Sequence, residues 1–102
     1  MKKLSAVQKK QQALVMAVAE AIEAEAKLAF PGMLQCWFSM EYHLFPGSLL
    51  MRLQFSDAQS LANAEPELAK WRKRLSGMML KKGVILKDMR QHLVFTLSGP
   101  ED

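Results

Sequence analysis

The sequence predicts an α+β domain: a three- or four-stranded sheet, antiparallel or mixed, with two long helices packed on one face, in the order α-β-β-α-β with a further strand optional at the end. Three observations carry that expectation. Residues 33–55 hold two runs of period-two apolar alternation separated by Phe45-Pro46-Gly47-Ser48, the pattern of a half-buried hairpin. On either side of them, apolar residues recur at helical spacing. A chain of 102 residues, half of them hydrophobic and only nine of them Gly or Pro (5 + 4), is long enough for one core and is not composed like a disordered chain.

Ser5 followed by Gln8 fits a capping box, and Val7, Leu14, Val15, Val18, Ile22, Ala26 and Ala29 then form one helical stripe. Lys9, Gln12, Glu20, Glu23 and Lys27 fall on the far side. The first helix is expected to run from Ser5 or Ala6 to Ala29 and to stop at Pro31-Gly32. Gln11 and Glu25 interrupt the stripe, so its first turns are expected either to overhang the sheet or to fray.

In the hairpin the even positions Leu34, Cys36, Phe38, Met40 and Tyr42 are apolar or aromatic, and Gln35, Trp37, Ser39, Glu41 and His43 lie between them. Pro46 and Gly47 then suit a tight turn, one fixing φ and the other tolerating a positive value. Beyond it Leu49, Met51, Leu53 and Phe55 take the apolar side, and Leu50, Arg52 and Gln54 the other. Two strands alone are marginal in water, so helices or another strand must cover the apolar side.

Ser56 and Gln59 repeat the capping signature ahead of a short helical turn through Leu61. For the second long helix Asn63 is the expected N-cap, with Glu65, Pro66 and Glu67 in the first turn, Lys81 and Lys82 in the last, and Gly83 as the stop. Leu68, Trp71, Leu75, Met78 and Met79 share the face that should meet the hairpin. Lys70, Lys73, Arg74 and Lys81 share the opposite one, with Gly77 among them either as a bend or as bare backbone that a partner approaches. Val84, Ile85 and Leu86, then Leu93, Phe95 and Leu97 alternating with His92, Val94 and Thr96, make one long strand or a second hairpin turning near residues 88–90. Residues 1–97 are expected to form the domain and residues 98–102 a frayed tail.

Fourteen Lys and Arg against ten Asp and Glu give a net charge of +4, a balance that favours acidic partners. The single Cys36 excludes an internal disulfide framework and falls on the core face of its strand. Met1-Lys2-Lys3 is charged like the start of a signal peptide but no apolar core follows, and no apolar run approaches the length of a bilayer span, so a cytoplasmic protein with no membrane contact is expected. Catalysis needs convergent titratable groups, and Cys36 and His43 differ in strand parity. There is no phosphate-cradling Gly-rich loop and no nucleophile elbow. His43, His92 and Glu41 share the bare sheet face in this reading but lack the spacing of known metal motifs. No enzyme, cofactor, metal or small-molecule substrate is expected.

What remains is a small binding module. The first expectation is nucleic acid, RNA or an RNA-containing assembly, met by phosphate contacts from Lys70, Lys73, Arg74 and Lys81, with Trp37 and Arg52 secondary. Lys2, Lys3, Lys9 and Lys10 add charge at the other end of the chain, and His92 and Arg90 add groups to the bare face. The alternative is a protein-interaction or homodimer surface built from Trp37, Leu50 and Val94 and rimmed by Glu41, Arg52 and Arg90. The eight Met residues suit core filling or an adaptable interface. The order helix, strand, strand, helix, strand is similar to the type II KH arrangement and to ribosome-binding factors built on it, and that resemblance implies RNA contact. The GxxG loop that clamps nucleic acid in KH domains is absent, so no binding residue follows from the resemblance.

Overall fold

Alternation in residues 33–55 produces the hairpin, in the setting expected for it. In a computed structural model, which describes residues 3–102, the chain runs α1 (Ala6–Ala29), β1 (Met33–Ser39), β2 (Leu50–Phe55), α2 (Ala58–Ala64), α3 (Leu68–Lys81) and β3 (Leu93–Thr96). The sheet is mixed and three-stranded in the order β1-β2-β3, with β2 antiparallel to β1 and parallel to β3. Both long helices lie on one face of it. Val15, Val18, Ala19, Ile22 and Ala26 of α1 and Trp71, Leu75 and Met79 of α3 close over Met33, Met51, Leu53, Phe55 and Leu93. Phe30, Phe55, Phe95 and Trp71 form an aromatic cluster with centroids 5.2 to 5.8 Å apart. Each side chain fully buried in this way contributes roughly 1.5–3 kcal/mol of transfer free energy.

The capping box opens α1: the Gln8 amide donates to Ser5 Oγ at 3.1 Å, and the Ser5 amide donates to Gln8 Oε1 at 3.0 Å. A helix of 24 residues is about 36 Å long at 1.5 Å per residue, whereas a strand of seven spans about 23 Å, so α1 outruns the sheet beneath it. The expected stripe is therefore buried only from Val15 onward, and Val7 and Ala29 at its ends are exposed. Glu23, expected on the far side, instead reaches the free edge of β1, where its Oε2 accepts the Cys36 amide at 2.8 Å.

Strand parity holds with one slip. Cys36, Phe38, Met51, Leu53, Leu93 and Phe95 pair on the core face, but the register shifts between Met33 and Gln35. That bulge puts Met33 in the core and turns Leu34, expected inside, to solvent. The strand also ends earlier than its alternation suggests. Tyr42 lies in a 3₁₀ turn, Tyr42–Leu44, within a ten-residue connection spanning residues 40–49. Ser48 Oγ closes that loop, accepting the Glu41 amide at 2.8 Å and donating to the Glu41 carbonyl at 2.9 Å. Gly47 has no positive φ; the glycines that do are Gly32 and Gly83, just past the C-terminal ends of α1 and α3.

The segment after β2 departs from expectation at its caps. Asp57, not Ser56, caps α2, its carboxylate accepting the Ser60 amide at 2.8 Å. Asn63 therefore lies inside α2, accepting from Gln59 Nε2, and a 3₁₀ turn over Glu65–Glu67 with Pro66 in it separates α2 from α3. Beyond Gly83 there is neither a long strand nor a second hairpin. Asp88 caps a 3₁₀ turn, Met89–Gln91, which ends the extended run and leaves β3 as a single short strand.

Candidate functional site

With Trp71, Leu75 and Met79 turned inward, helical periodicity sends Lys70, Lys73, Arg74 and Lys81 outward, and all four are exposed. Lys70, Lys73 and Arg74 flank a groove of about 640 Å³ between α1 and α3 that also touches Glu25, Leu28, Trp71 and Gly77. Gly77 leaves open space there, since a Cβ built on it meets nothing within 4 Å. Leu28 stands 91% exposed on the rim. The Trp71 indole Nε1 is buried with no hydrogen-bond partner among the described residues. Lys81 lies further along α3, beside Ala17 and Ala21 of α1.

The cations of this face differ in what holds them. Glu25, the residue that interrupts the apolar stripe of α1, takes two bonds from Arg74, Nε to Oε1 at 3.0 Å and Nη2 to Oε2 at 2.9 Å. Those bonds hold the Glu25 carboxyl below the usual carboxylate range and raise Arg74 further. Lys70 approaches Glu67 at 3.4 Å. Lys73 and Lys81 have no ion pair among the described residues. Lys2 lies outside the described residues; Lys9 and Lys10 lie in the overhanging first turns of α1 and Lys3 just ahead of them, and none lines the groove.

The other predicted residues meet on the opposite side of the sheet. Trp37, Arg52 and Val94 are consecutive partners across β1, β2 and β3, and Leu50 lies opposite Ser39 in the next row. All four are half-buried, and Trp37, on the edge strand, also lines a cleft with Met16, Ala19 and Glu20 of α1. The Arg52 guanidinium lies 4.5 Å from the Trp37 ring centroid and donates to Ser39 Oγ at 3.0 Å. Trp37 Nε1 donates to the Ser98 carbonyl at 3.3 Å, and Gly99 rests against the Gln54 side chain, so the last residues of the chain edge this face. The sheet and its helix layer thus separate Trp37 and Arg52 from the four α3 cations, and the two groups do not form one surface.

Four residues expected on the bare face lie elsewhere, Glu41 among them in the connection that follows β1. His43 is in the 3₁₀ turn, exposed and 3.7 Å from Glu41. Arg90 is paired to Asp88 two residues away. His92 is 3% exposed, its Nδ1 2.7 Å from the Leu49 carbonyl, because it precedes β3 and is drawn under the end of the hairpin loop. No three metal-binding side chains converge among the described residues. The Cys36 thiol is pushed up to about 12, by burial first and by Glu23 second. Among the described residues no helix is long and apolar enough to cross a membrane.

Sequence reasoning missed Glu25 as the counter-ion of Arg74 and His92 as a buried group. Glu25 left a trace, since a carboxylate inside an apolar stripe needs a partner; His92 left none, because its burial depends on the irregular residues before it. Comparison with protein families, with curated proteins and with solved structures finds no match to this chain.

Proposed function

We propose that this chain is a small binding module that contacts a phosphate-bearing polymer, RNA in preference, through the outer face of α3. The observation that carries the reading is the grouping of Lys70, Lys73 and Arg74 around an open groove in which Gly77 leaves backbone uncovered, with Lys81 two turns of helix away from Lys73. The Lys70–Glu67 pair is solvent-exposed and worth little enough to be exchanged for phosphate, whereas Arg74 must give up its two-bond pair with Glu25 to do the same. The element order, similar to that of type II KH domains, supports the same partner by analogy.

The test uses the two cations that hold no internal pair. Lys73→Glu combined with Lys81→Glu should weaken binding to a mixed single-stranded RNA pool and reduce the slope of log K against log salt by about 0.7 for each phosphate that is no longer neutralised. Unchanged affinity, or affinity that does not fall with salt in the unmodified protein, rejects the reading.

One observation favours a second reading, a protein-interaction or self-association surface on the uncovered sheet face. Arg52 is already stacked on Trp37 and tied to Ser39, so an aromatic and a cation stand pre-ordered beside Leu50 and Val94. Trp37→Ser would then abolish self-association seen by light scattering, and a protein that is monomeric at high concentration would exclude the homodimer.

A further inference from the structure

A three-stranded sheet has two free edges, and here a helix side chain reaches each of them. At β3, Arg72 of α3 donates from Nε to the Leu93 carbonyl at 3.0 Å. At β1, Glu23 of α1 accepts the Cys36 amide at 2.8 Å, so Cys36 turns its main-chain polar groups away from β2. Such groups alternate sides along a strand, and Phe38, two residues on, therefore presents its own amide and carbonyl at the same edge. The β1 edge is the longer of the two, seven residues against four. It is also acidic in a chain of net charge +4. Glu20 precedes Glu23 by one turn of α1, is exposed and has no ion pair among the described residues. Lys27 approaches Glu23 at 3.6 Å, longer than a hydrogen bond. Between α1 and the edge lies a cleft of about 290 Å³ lined by Met16, Ala19, Glu20, Glu23 and Phe38. Met16, 46% exposed, and Leu34, 47% exposed, leave apolar surface uncovered beside it.

We propose that the β1 edge takes up an extended basic segment of a partner protein as a fourth strand, an interaction independent of the RNA reading and of the open sheet face. A carbonyl of the incoming strand replaces Glu23 Oε2 at the Cys36 amide, and a second accepts the Phe38 amide. The Cys36 and Phe38 carbonyls accept from the strand in return, the main-chain pairing by which peptides extend sheet edges. One acceptor is exchanged for another at Cys36, so that step is close to neutral and side-chain charge decides which strand is taken. A Lys or Arg of the strand lays its aliphatic stem over Met16 and Ala19 and brings its charge to Glu20 and the released Glu23. An acidic strand would set like charges beside both carboxylates. A second copy of this chain, paired antiparallel about Cys36, would bring its own Glu23 against this one. Charged side chains commonly blunt sheet edges, and Glu23 does so here while yielding the edge to a strand that carries a cation.

The probe is an end-blocked heptapeptide of alternating threonine and lysine, titrated into the intact ¹⁵N-labelled protein. Two further peptides run beside it, one with glutamate in place of lysine and one with every backbone amide of the lysine peptide methylated. The lysine peptide should shift the Cys36 and Phe38 amides saturably. The glutamate peptide should leave them in place although the net charge of +4 attracts it, and the methylated peptide should not bind, having lost its ladder donors. Glu20→Gln with Glu23→Gln keeps an acceptor at the Cys36 amide and should weaken the lysine peptide about fivefold, the worth of two exposed ion pairs. Lys73→Glu with Lys81→Glu should not weaken it while lowering RNA affinity. No shift at Cys36 and Phe38 with millimolar lysine peptide, equal binding of the glutamate or methylated peptide, or full affinity in the double Gln variant overturns the proposal, whatever the result with RNA.

Discussion

Gly32 and Gly77 show how one residue type serves opposite ends. Gly32 has a φ of +84°, and a Cβ there would lie 2.7 Å from Ser60 Cβ, so Gly32→Ala is strained by backbone and by crowding at once. Urea unfolding should show a loss of roughly 1 kcal/mol or more. Gly77 is helical and a Cβ added there would meet no other part of the molecule within 4 Å, so Gly77→Ala should raise stability by roughly 0.5–1 kcal/mol. If the open backbone at Gly77 admits phosphate, the same substitution lowers RNA affinity, a stability gain coupled to weaker binding. Cys36 makes a second residue-level prediction. A thiol at about 12 has almost no thiolate at pH 8, so alkylation by iodoacetamide should be far slower in the native protein than in urea. Glu23→Gln should leave it slow, because burial is the larger cause; rapid native labelling would mean that the β1 edge opens.

Among the elements, α1 divides into an overhang and a buried half, and the two should respond differently. Ile22 is fully buried, and Ile22→Ala should cost about 2–5 kcal/mol. Ser5→Ala removes a cap from turns that touch little else, so it should speed amide exchange near the start of α1 with only a small change in global stability. The cap of α2 adds a pH dependence. Bonds from the Ser60 amide and the Ser56 hydroxyl hold the Asp57 carboxyl below its ordinary value. A carboxyl that is more acidic folded than unfolded stabilises above its unfolded value, and that contribution disappears as pH falls through the folded one. Asp57→Asn, which keeps an acceptor, should therefore flatten the acid limb of the stability profile. These elements also show what is legible in a sequence. Periodicity exposes the α3 cations and the parity of β1 and β2, because both follow from neighbours a few residues apart. The bulge at Leu34 and the Ser48 closure of the loop are not legible, since each depends on what the chain pairs with. Nor are the Glu25 partner of Arg74, 49 residues away, and the burial of His92 against Leu49.

At the scale of the molecule, the architecture is a sheet covered once, so adjacent residues of its central strand live in different solvents. The radius of gyration of 13.7 Å is close to the ~13 Å of a 100-residue globule, and the longest extent, 41 Å, exceeds the ~36 Å of α1 by little. One core therefore carries the stability. Leu53 is fully buried, paired between Cys36 and Phe95 on the covered face; Arg52, its neighbour, lies between Trp37 and Val94 on the open one. Leu53→Ala should cost about 2–5 kcal/mol, a large part of the roughly 5–15 kcal/mol that holds such a domain together. Arg52→Ala removes the stacking on Trp37 and a bond to an exposed hydroxyl, about 1 kcal/mol at most. Because side chains alternate with a period of two, a register displaced by one residue would exchange these outcomes. Paired urea melts with equal slopes and midpoints ordered Arg52→Ala above Leu53→Ala test the sheet directly. The reverse order would put Trp37 and Arg52 under the helices, and with them would go both the open face and the outward cations of α3.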